Sequence, residues 1–561
     1  MTKAADSKRA LPGSLNSNRR IDQWLGLPEP GRVRVSVGKV EIGQGITTAL
    51  MQIAADEFDV NPGRVVMPRP STAASPDEGV TSGSRSIEES GEALRAVCAE
   101  ARDILVQEAA KRLGVSVERL TVDDGTIRAR DSGQSITYWD LPAADLFARE
   151  ATGDVKPKSP AEHRVIGGST ARLDVPGKIS GGAFIHDMDL PGMLYGRVIR
   201  PPSYRATLVT LDEAGLRALP GIVAVVRDGH FVGIAGEREE AVVKAWKAAD
   251  KYCTWSEKPD LPDCDNLVVD LKQLASRFEV VNEKSDPDAK ATAAKRVSAT
   301  YTKPFIAHAT IGPSCGVAHY VDGHMHVWTH SQGIFLNRLD LTKALRLPAE
   351  RITVTHMDGA GCYGHNGADD AALDAALIAR AVPGKPVKVQ WMREDEFGWE
   401  PFGPAAVIEN AAGLDDAGRI VEWRHEIWSN GHSTRPGRAK TPTLLAATHL
   451  EQAFPKLVAV NVALARGGGA ESNAIPGYDF PAYSVICNRV LSMPIRTSAL
   501  RGLGAFANVF AIESFMDELA QVAGADPVAF RLAHLAAGDA RSRAVIESAA
   551  RRSGWHEWGP A

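Results

Sequence analysis

The 561-residue chain is poor in cysteine and aromatics and has no excess of either charge sign. Its six cysteines, Cys98, Cys253, Cys264, Cys315, Cys362 and Cys487, include no C-x-x-C pair. That argues against a disulfide framework, a zinc ribbon or an iron–sulfur cluster held by this chain. The net charge of −5 comes from acids and bases interspersed along the sequence, which leaves no footprint for nucleic acid or an anionic membrane. No apolar run reaches the length of a bilayer span. The N-terminus is polar and lacks the apolar core of a signal peptide. Although Arg19-Arg20 suggests a twin-arginine start, Ile21 to Pro28 is too short and polar to follow it, so a cytoplasmic location is expected. Neither H-E-x-x-H nor G-x-S-x-G occurs, and His326 and His330, four apart, fall where the pattern reads as strand. A zinc site on protein ligands and a serine hydrolase elbow are both disfavoured.

What is present is 44% hydrophobic residues and 51 glycines, ordinary for a turn-rich soluble protein of mixed structure. Several domains of α+β class are expected at this length. Residues 1–30 read as a polar arm. A region over 31–152 starts with alternating Arg32–Val37. It continues with a helix from 46 to 58, and then an amphipathic helix with Leu94, Val97, Cys98, Ala101, Leu105 and Ala109 on one stripe, ended by Gly114. A Pro/Lys/Gly-rich linker near 153–168 leads into a strand-rich region, 166–256, with turns at Pro176-Gly177, Gly181-Gly182 and Pro191-Gly192. A second linker, 257–264, precedes a region over 298–561 in which strands and helices alternate. That region includes a hairpin at Asp322-Gly323 and helices at 336–345, 368–381 and 506–522.

Four short segments combine small residues with a strand end or helix start, where outward N–H groups can cradle an anion or a ring edge. The first is Gly43-Gln44-Gly45; a plain strand-to-helix turn fits it equally well. In the second, Ser82-Gly83-Ser84-Arg85-Ser86, hydroxyls and a guanidinium suit phosphate, as a polar helix cap also would. Third comes the run from Asp358 to Gly367, with Gly359, Gly361, Gly364 and Gly367 ahead of a helix; it is neither a Walker loop nor a dinucleotide fingerprint. The last is Leu500-Arg501-Gly502-Leu503-Gly504, where Arg501 could clamp an anionic group or simply be exposed.

Taken in order, Val40–Gly45, Arg172–Gly181 with Asp189–Leu194, Trp328–Gln332, the 359–367 loop, Ala499–Gly504 and Glu513–Ala520 resemble the xanthine oxidase/aldehyde oxidase family. The segment from Arg172 is similar to the start of that family's a/b hammerhead domain. Here the G-Q-G segment precedes the hammerhead, an order similar to the isoquinoline oxidoreductase and nicotinate dehydrogenase B-type large subunits rather than to xanthine dehydrogenase. The resemblance implies a multi-domain molybdopterin-binding large subunit with an inserted hammerhead domain. Gln332 and Arg501 would lie beside the oxygen ligands of the molybdenum. Gly43, Gln44 and Gly45 would hold the pterin, and Ser82, Gly83, Ser84 and Ser86 the pterin or its phosphate tail. Gly359, Gly361, Tyr363, Gly364 and Gly502 would complete the cradle. The usual G-G-G-F-G reads Gly-Ala-Gly-Cys-Tyr-Gly, one residue longer, which leaves open whether Tyr363 serves as the aromatic.

The implied cofactor is molybdopterin, in the plain or the cytosine dinucleotide form, with molybdenum held by the pterin dithiolene and not by protein side chains. The implied reaction converts C–H of an N-heteroaromatic or aldehyde to C–OH with water as the oxygen source. Electrons would leave through a small 2Fe-2S partner subunit to a carrier such as cytochrome c. The family's catalytic glutamate, in a Gly-x-Gly-Glu-like context, has no counterpart in this sequence. The resemblance therefore places the base in a separate polypeptide or a lost C-terminal part, leaving Glu41, Glu78 and Glu471 as substitutes. An inactive scaffold paralogue and a cofactor-insertion protein are the rival functions. Molybdenum content separates them from the enzyme.

Overall fold

The computed structural model describes residues 9–258, 261 and 264–555. The first eight residues of the polar arm, part of the 257–264 linker and the last six residues of the chain lie outside the described residues.

The N-terminal part is built on two helices, Ile46–Glu57 and Glu92–Leu113. The expected stripe is its core: Leu94, Val97, Cys98, Ala101, Leu105 and Ala109 are all fully buried, beside Trp24 and Phe58. The second helix ends at Gly114, whose left-handed backbone (φ 66°) lets its N–H reach the Ala110 carbonyl. Three buried acids then determine what the following chain does. Asp56 accepts the N–H groups of Arg164, Val165 and Ile166. Glu57 accepts the Lys158 N–H, and Glu100 those of Thr152 and Gly153. The stretch that composition marks as a linker is thus strapped across the helices. The three amides outweigh the burial that by itself would raise the Asp56 pKa, and hold it below the usual carboxylate range. Pro176-Gly177 also differs from expectation: it lies inside a short helix, Val175–Ser180, with proline in the first turn where no N–H is needed.

A seven-stranded mixed sheet dominates the rest. Its order is Ile352–His356, His324–Thr329, Cys315–Val321, Pro386–Gln390, Leu194–Ile199, Phe231–Gly236 and Ile222–Asp228. Leu194–Ile199 pairs in parallel with Pro386–Gln390, so strands from the 166–256 region complete a sheet begun by the C-terminal part. The helix Ala368–Ala381 lies against this sheet. Its buried alanines, with Gly316 opposite the Ala371 backbone, allow an approach that any Cβ at Gly316 would block, since it would sit 2.6 Å from the Ala371 oxygen. A second, five-stranded sheet runs Ser276–Lys284, Tyr483–Val490, Ile420–Asn430, Ala406–Leu414 and Lys295–Lys303, covered by the helix Ala505–Ala523. The α+β architecture is the one the sequence indicates.

Trp423 centres the second core, stacked on Phe480 (5.1 Å between ring centroids, 18°) and tilted against Phe515. Its indole nitrogen is buried without a partner among the described residues, so only shape and area hold it. Trp423→Ala should cost about 3–5 kcal/mol and Trp423→Phe less than about 1.5 kcal/mol. Urea denaturation followed by circular dichroism measures both. Equal losses would show that the indole N–H, and not packing, holds this core.

Candidate functional site

Residues from the N-terminal part add an irregular strand to the free edge of the seven-stranded sheet. The His356 N–H donates to Pro70 O (2.8 Å), the Thr72 N–H donates to Val354 O (2.9 Å), and Ser71 bridges to Thr355. Further along the chain, Thr81 and Gln332 exchange two bonds. The Thr81 N–H donates to the Gln332 backbone oxygen, and Gln332 Nε2 donates to the Thr81 oxygen, both at 2.8 Å. Arg435 Nη2 donates to Gln332 Oε1 (2.8 Å). A carbonyl can only accept and a guanidinium only donate, so the amide orientation is fixed and one Nε2 hydrogen is left over. The buried His356 ring lies between the two parts of the chain, 2.9 Å from Glu41 O and 3.2 Å from Ser331 O.

The loop at Gly43-Gln44-Gly45 does not offer the free donors expected of it. Glu41, 6% exposed, accepts the N–H groups of Gly43 (2.8 Å), Gly45 (2.9 Å) and Thr47 (3.2 Å). Gln44 folds back, accepting from Ile42 N and donating to Val40 O. An anion is therefore already built into this loop, which leaves it shape and not charge to contribute. Glu78 is occupied in the same way, by the N–H groups of Gly38 and Lys39 and the Ser14 and Ser90 hydroxyls. Glu471 accepts from the Asn461 amide. Of the three acids the sequence leaves as a base, Glu41 and Glu78 are thus fully engaged, whereas Glu471, its pKa raised by burial, has the Asn461 amide on one oxygen only among the described residues.

At Ser82–Ser86 the opposite holds. Among the described residues, the N–H groups of Ser82, Gly83 and Ser84 and the hydroxyls of Ser82, Ser84 and Ser86 meet no protein partner. Arg85 is not part of this donor set, because it pairs with Glu88 (3.2 Å) and Glu89 (3.3 Å) of its own helix. Gly83, with φ 69°, faces Gly467 across the floor.

The glycine loop and the Arg501 segment are paired to each other. Gly364 bridges to Leu500, the His365 N–H donates to Ala499 O and the Arg501 N–H to Tyr363 O, the two hydrogen bonds each at 2.7 Å. Gly364 has φ 131°, and a Cβ there would lie 2.1 Å from Ala499 O, so the pairing requires glycine. Gly359 packs on the His330 ring and Gly361 under the Tyr363 hydroxyl. His330 accepts the Cys315 N–H at Nε2, and burial pushes its pKa down to about 3, which keeps it neutral. Gly502, with φ 93°, turns the chain into the following helix. The exposed Arg501 guanidinium meets only the Tyr363 ring among the described residues, 5.9 Å away.

Two domain models described as "Molybdopterin cofactor-binding domain" match this chain, one over residues 14–164 and one over 273–535 in two adjoining parts. The chain belongs to the molybdopterin-binding large subunits of the xanthine oxidase family. It is 36% identical to the B-type subunit of nicotinate dehydrogenase from Pseudomonas putida, over 96% of its own length and 44% of the relative's. With the beta chain of isoquinoline 1-oxidoreductase from Brevundimonas diminuta the identity is 28%, over 98% and 74%. The chain thus spans less than half of the first relative and about three quarters of the second. In fold it is similar to quinoline 2-oxidoreductase of Pseudomonas putida (TM-score 0.56, 18% identity, 70% of this chain and 55% of that one).

The residues present fit a pterin with an anionic tail. The cradle has unpartnered hydroxyls and amides at 82–86, a glycine floor at 83 and 467, and an exposed guanidinium at 501. Two groups of this molybdopterin-binding chain were not singled out from its sequence. Arg435-Pro-Gly-Arg438 and Arg466-Gly-Gly-Gly469 border the cradle; glycines next to arginine were the legible signal. Beneath Ala499 lies a fully buried pair: His308 Nε2 is 3.0 Å from Ala499 O, and its Nδ1 is 3.6 Å from Glu400 Oε2. Burial and the nearby Glu396 raise Glu400 to about 7, while burial lowers His308 to about 4.

This pair has a pH signature. A Glu400 pKa above its unfolded value adds stability that is complete below about pH 4.5 and lost as pH rises through 7. The depressed His308 pKa works in the opposite sense between 4 and 6.5, so the two largely cancel. Glu400→Gln removes the falling component. Its stability should rise more steeply than wild type from pH 4.5 to 7, by about 3 kcal/mol in total. Urea midpoints at a series of pH values measure this, and parallel curves would show that Glu400 does not hold a proton there.

Proposed function

We propose that this chain is the cofactor-holding large subunit of a molybdenum hydroxylase that oxidises a C–H bond of a small N-heteroaromatic, with water as the oxygen source. What supports this reading is that the glycine loop and the Arg501 segment are paired to each other, and that unpartnered hydroxyls and amides at 82–86 adjoin the Thr81–Gln332 contact and Gly467. The relatives named for nicotinate and isoquinoline favour a heteroaromatic over an aldehyde. The cofactor is molybdopterin, and its cytosine dinucleotide form suits the extended donor set at 82–86. When bound, the cofactor supplies the two-electron oxidation and oxygen transfer.

The protein's part is positioning. Gln332, clamped between Thr81 and Arg435, presents its remaining amide N–H in a fixed direction at no further entropic cost. Arg501, steadied over Tyr363, offers guanidinium donors where negative charge develops. Ser82, Gly83, Ser84 and Ser86 bind the tail through hydroxyls and N–H groups, while Gly43, Gln44, Gly45, Gly359, Gly361, Gly364 and Gly502 shape the walls. Electrons leave to a small 2Fe-2S partner and from there to a carrier such as cytochrome c, in the cytoplasm. Among the described residues no helix is long and apolar enough to cross a membrane.

Purified with its partner from a host that makes the cofactor, the chain should carry molybdenum and pterin near one per chain, and no iron on its own. Folded protein without either would contradict the reading. Arg501→Ala should lose about 2–4 kcal/mol of transition-state stabilisation, a fall in turnover of roughly 30- to 900-fold, with unchanged circular dichroism. Full turnover in that variant would remove Arg501 from the site.

A further inference from the structure

Among the described residues, three arginines whose side chains are largely enclosed each have a carboxylate. Arg496 is bidentate to Asp370, Arg200 pairs with Asp374 and Arg197 with Glu239. Arg435 does not. It is 6% exposed, yet its one hydrogen bond is to the neutral Gln332 Oε1, and no carboxylate lies within ion-pair distance among the described residues. The acid with most influence on it, Asp369, is already held by the Ser331 hydroxyl and the Asn337 amide. Among the described residues, Arg438 bonds only to the Ser433 hydroxyl (3.3 Å), and the Arg466 side chain has no partner. With Arg438 three residues on and the Arg466 carbonyl packed on Gly83, the buried Arg435 heads a line of cations whose outer two members are exposed, Arg438 lowering the pKa of Arg435 and Arg466 that of Arg438. Burial contributes most and, against the opposing pull of Asp369, brings Arg435 down to about 10.

A buried guanidinium without a counter-charge is costly unless an anion compensates it. The line starts at Gln332 and ends at Gly83 and Gly467, next to the unpartnered donors of Ser82 and Ser84. We infer that Arg435, Arg438 and Arg466 form an oxyanion-binding site beside Gln332. Two oxyanions can reach it: a carboxylate on the substrate, which would make the substrate class an anionic heteroaromatic, or the phosphate of the cofactor. The assignment of either source rests on the proposed function; the site itself does not.

The test uses the full chain. Without cofactor, it should bind inorganic pyrophosphate in isothermal titration. Arg435→Met, and separately the pair Arg438→Gln with Arg466→Gln, should each weaken this at least tenfold, with Arg435→Lys recovering part. No binding, or binding unchanged in all variants, overturns the site. With cofactor, two arms identify the source. If the substrate's carboxylate occupies it, the Arg438→Gln/Arg466→Gln variant keeps its pterin and loses nicotinate in equilibrium dialysis, while nicotinamide binding stays within twofold. If the cofactor's phosphate occupies it, the variant loses pterin, measured by fluorescence after oxidative release. Pyrophosphate binding that is lost in the variants, in a chain that never takes up molybdenum, would refute the proposed function and leave the oxyanion site standing.

Discussion

The structure depends on one seam, where Thr81 and Gln332 exchange backbone and side-chain hydrogen bonds and His356 lies between Glu41 and Ser331. On one side stands a helical unit with its own core, on the other the open edge of a seven-stranded sheet. An uncovered edge strand carries unsatisfied N–H and C=O groups, and the 70–72 segment covers this one. Because the seam fixes residue 81 against residue 332, it also sets where the 82–86 donors lie relative to Gln332 and Arg435. In the proposed reading the cradle is a product of that register.

A second constraint is how the protein uses buried acids. Glu41, Glu78 and Asp56 each collect two or more backbone N–H groups and so freeze a loop that would otherwise leave those donors unsatisfied. Each acts as an internal anion. The consequence for function is selectivity about where an external anion can go. In the proposed reading it is turned away from the 43–45 loop, and received by the unpartnered hydroxyls and amides of 82–86 and by Arg435, which no carboxylate among the described residues pairs.

Much of this was legible in the sequence. The helix stripe from Leu94 to Ala109, the Gly114 stop and the Asp322-Gly323 hairpin follow from periodicity and turn chemistry, which are local. The ordered set of glycine motifs carried the family, because each motif needs a small residue at a site of close approach. The features that sequence reading missed are set by long-range partners. Nothing near Glu41 says that it will occupy the amides of its own glycine loop, and nothing near Arg85 says that it will turn to Glu88 and Glu89. Arg435 looks like any surface arginine until its neighbours are known to include no acid. The 153–168 stretch has a linker's composition but is strapped down by three acids from two helices.

If segments around residues 43, 83, 363 and 501 form a single cofactor cradle across the seam, they must respond to the cofactor as one unit. Amide hydrogen exchange of the chain made with and without the molybdenum cofactor measures this. Peptides covering 40–46, 80–86, 359–366 and 498–504 should gain protection together when the cofactor is present, with the strapped 152–166 segment unchanged. Protection confined to one of these peptides, or absent from 80–86, would contradict a single cradle.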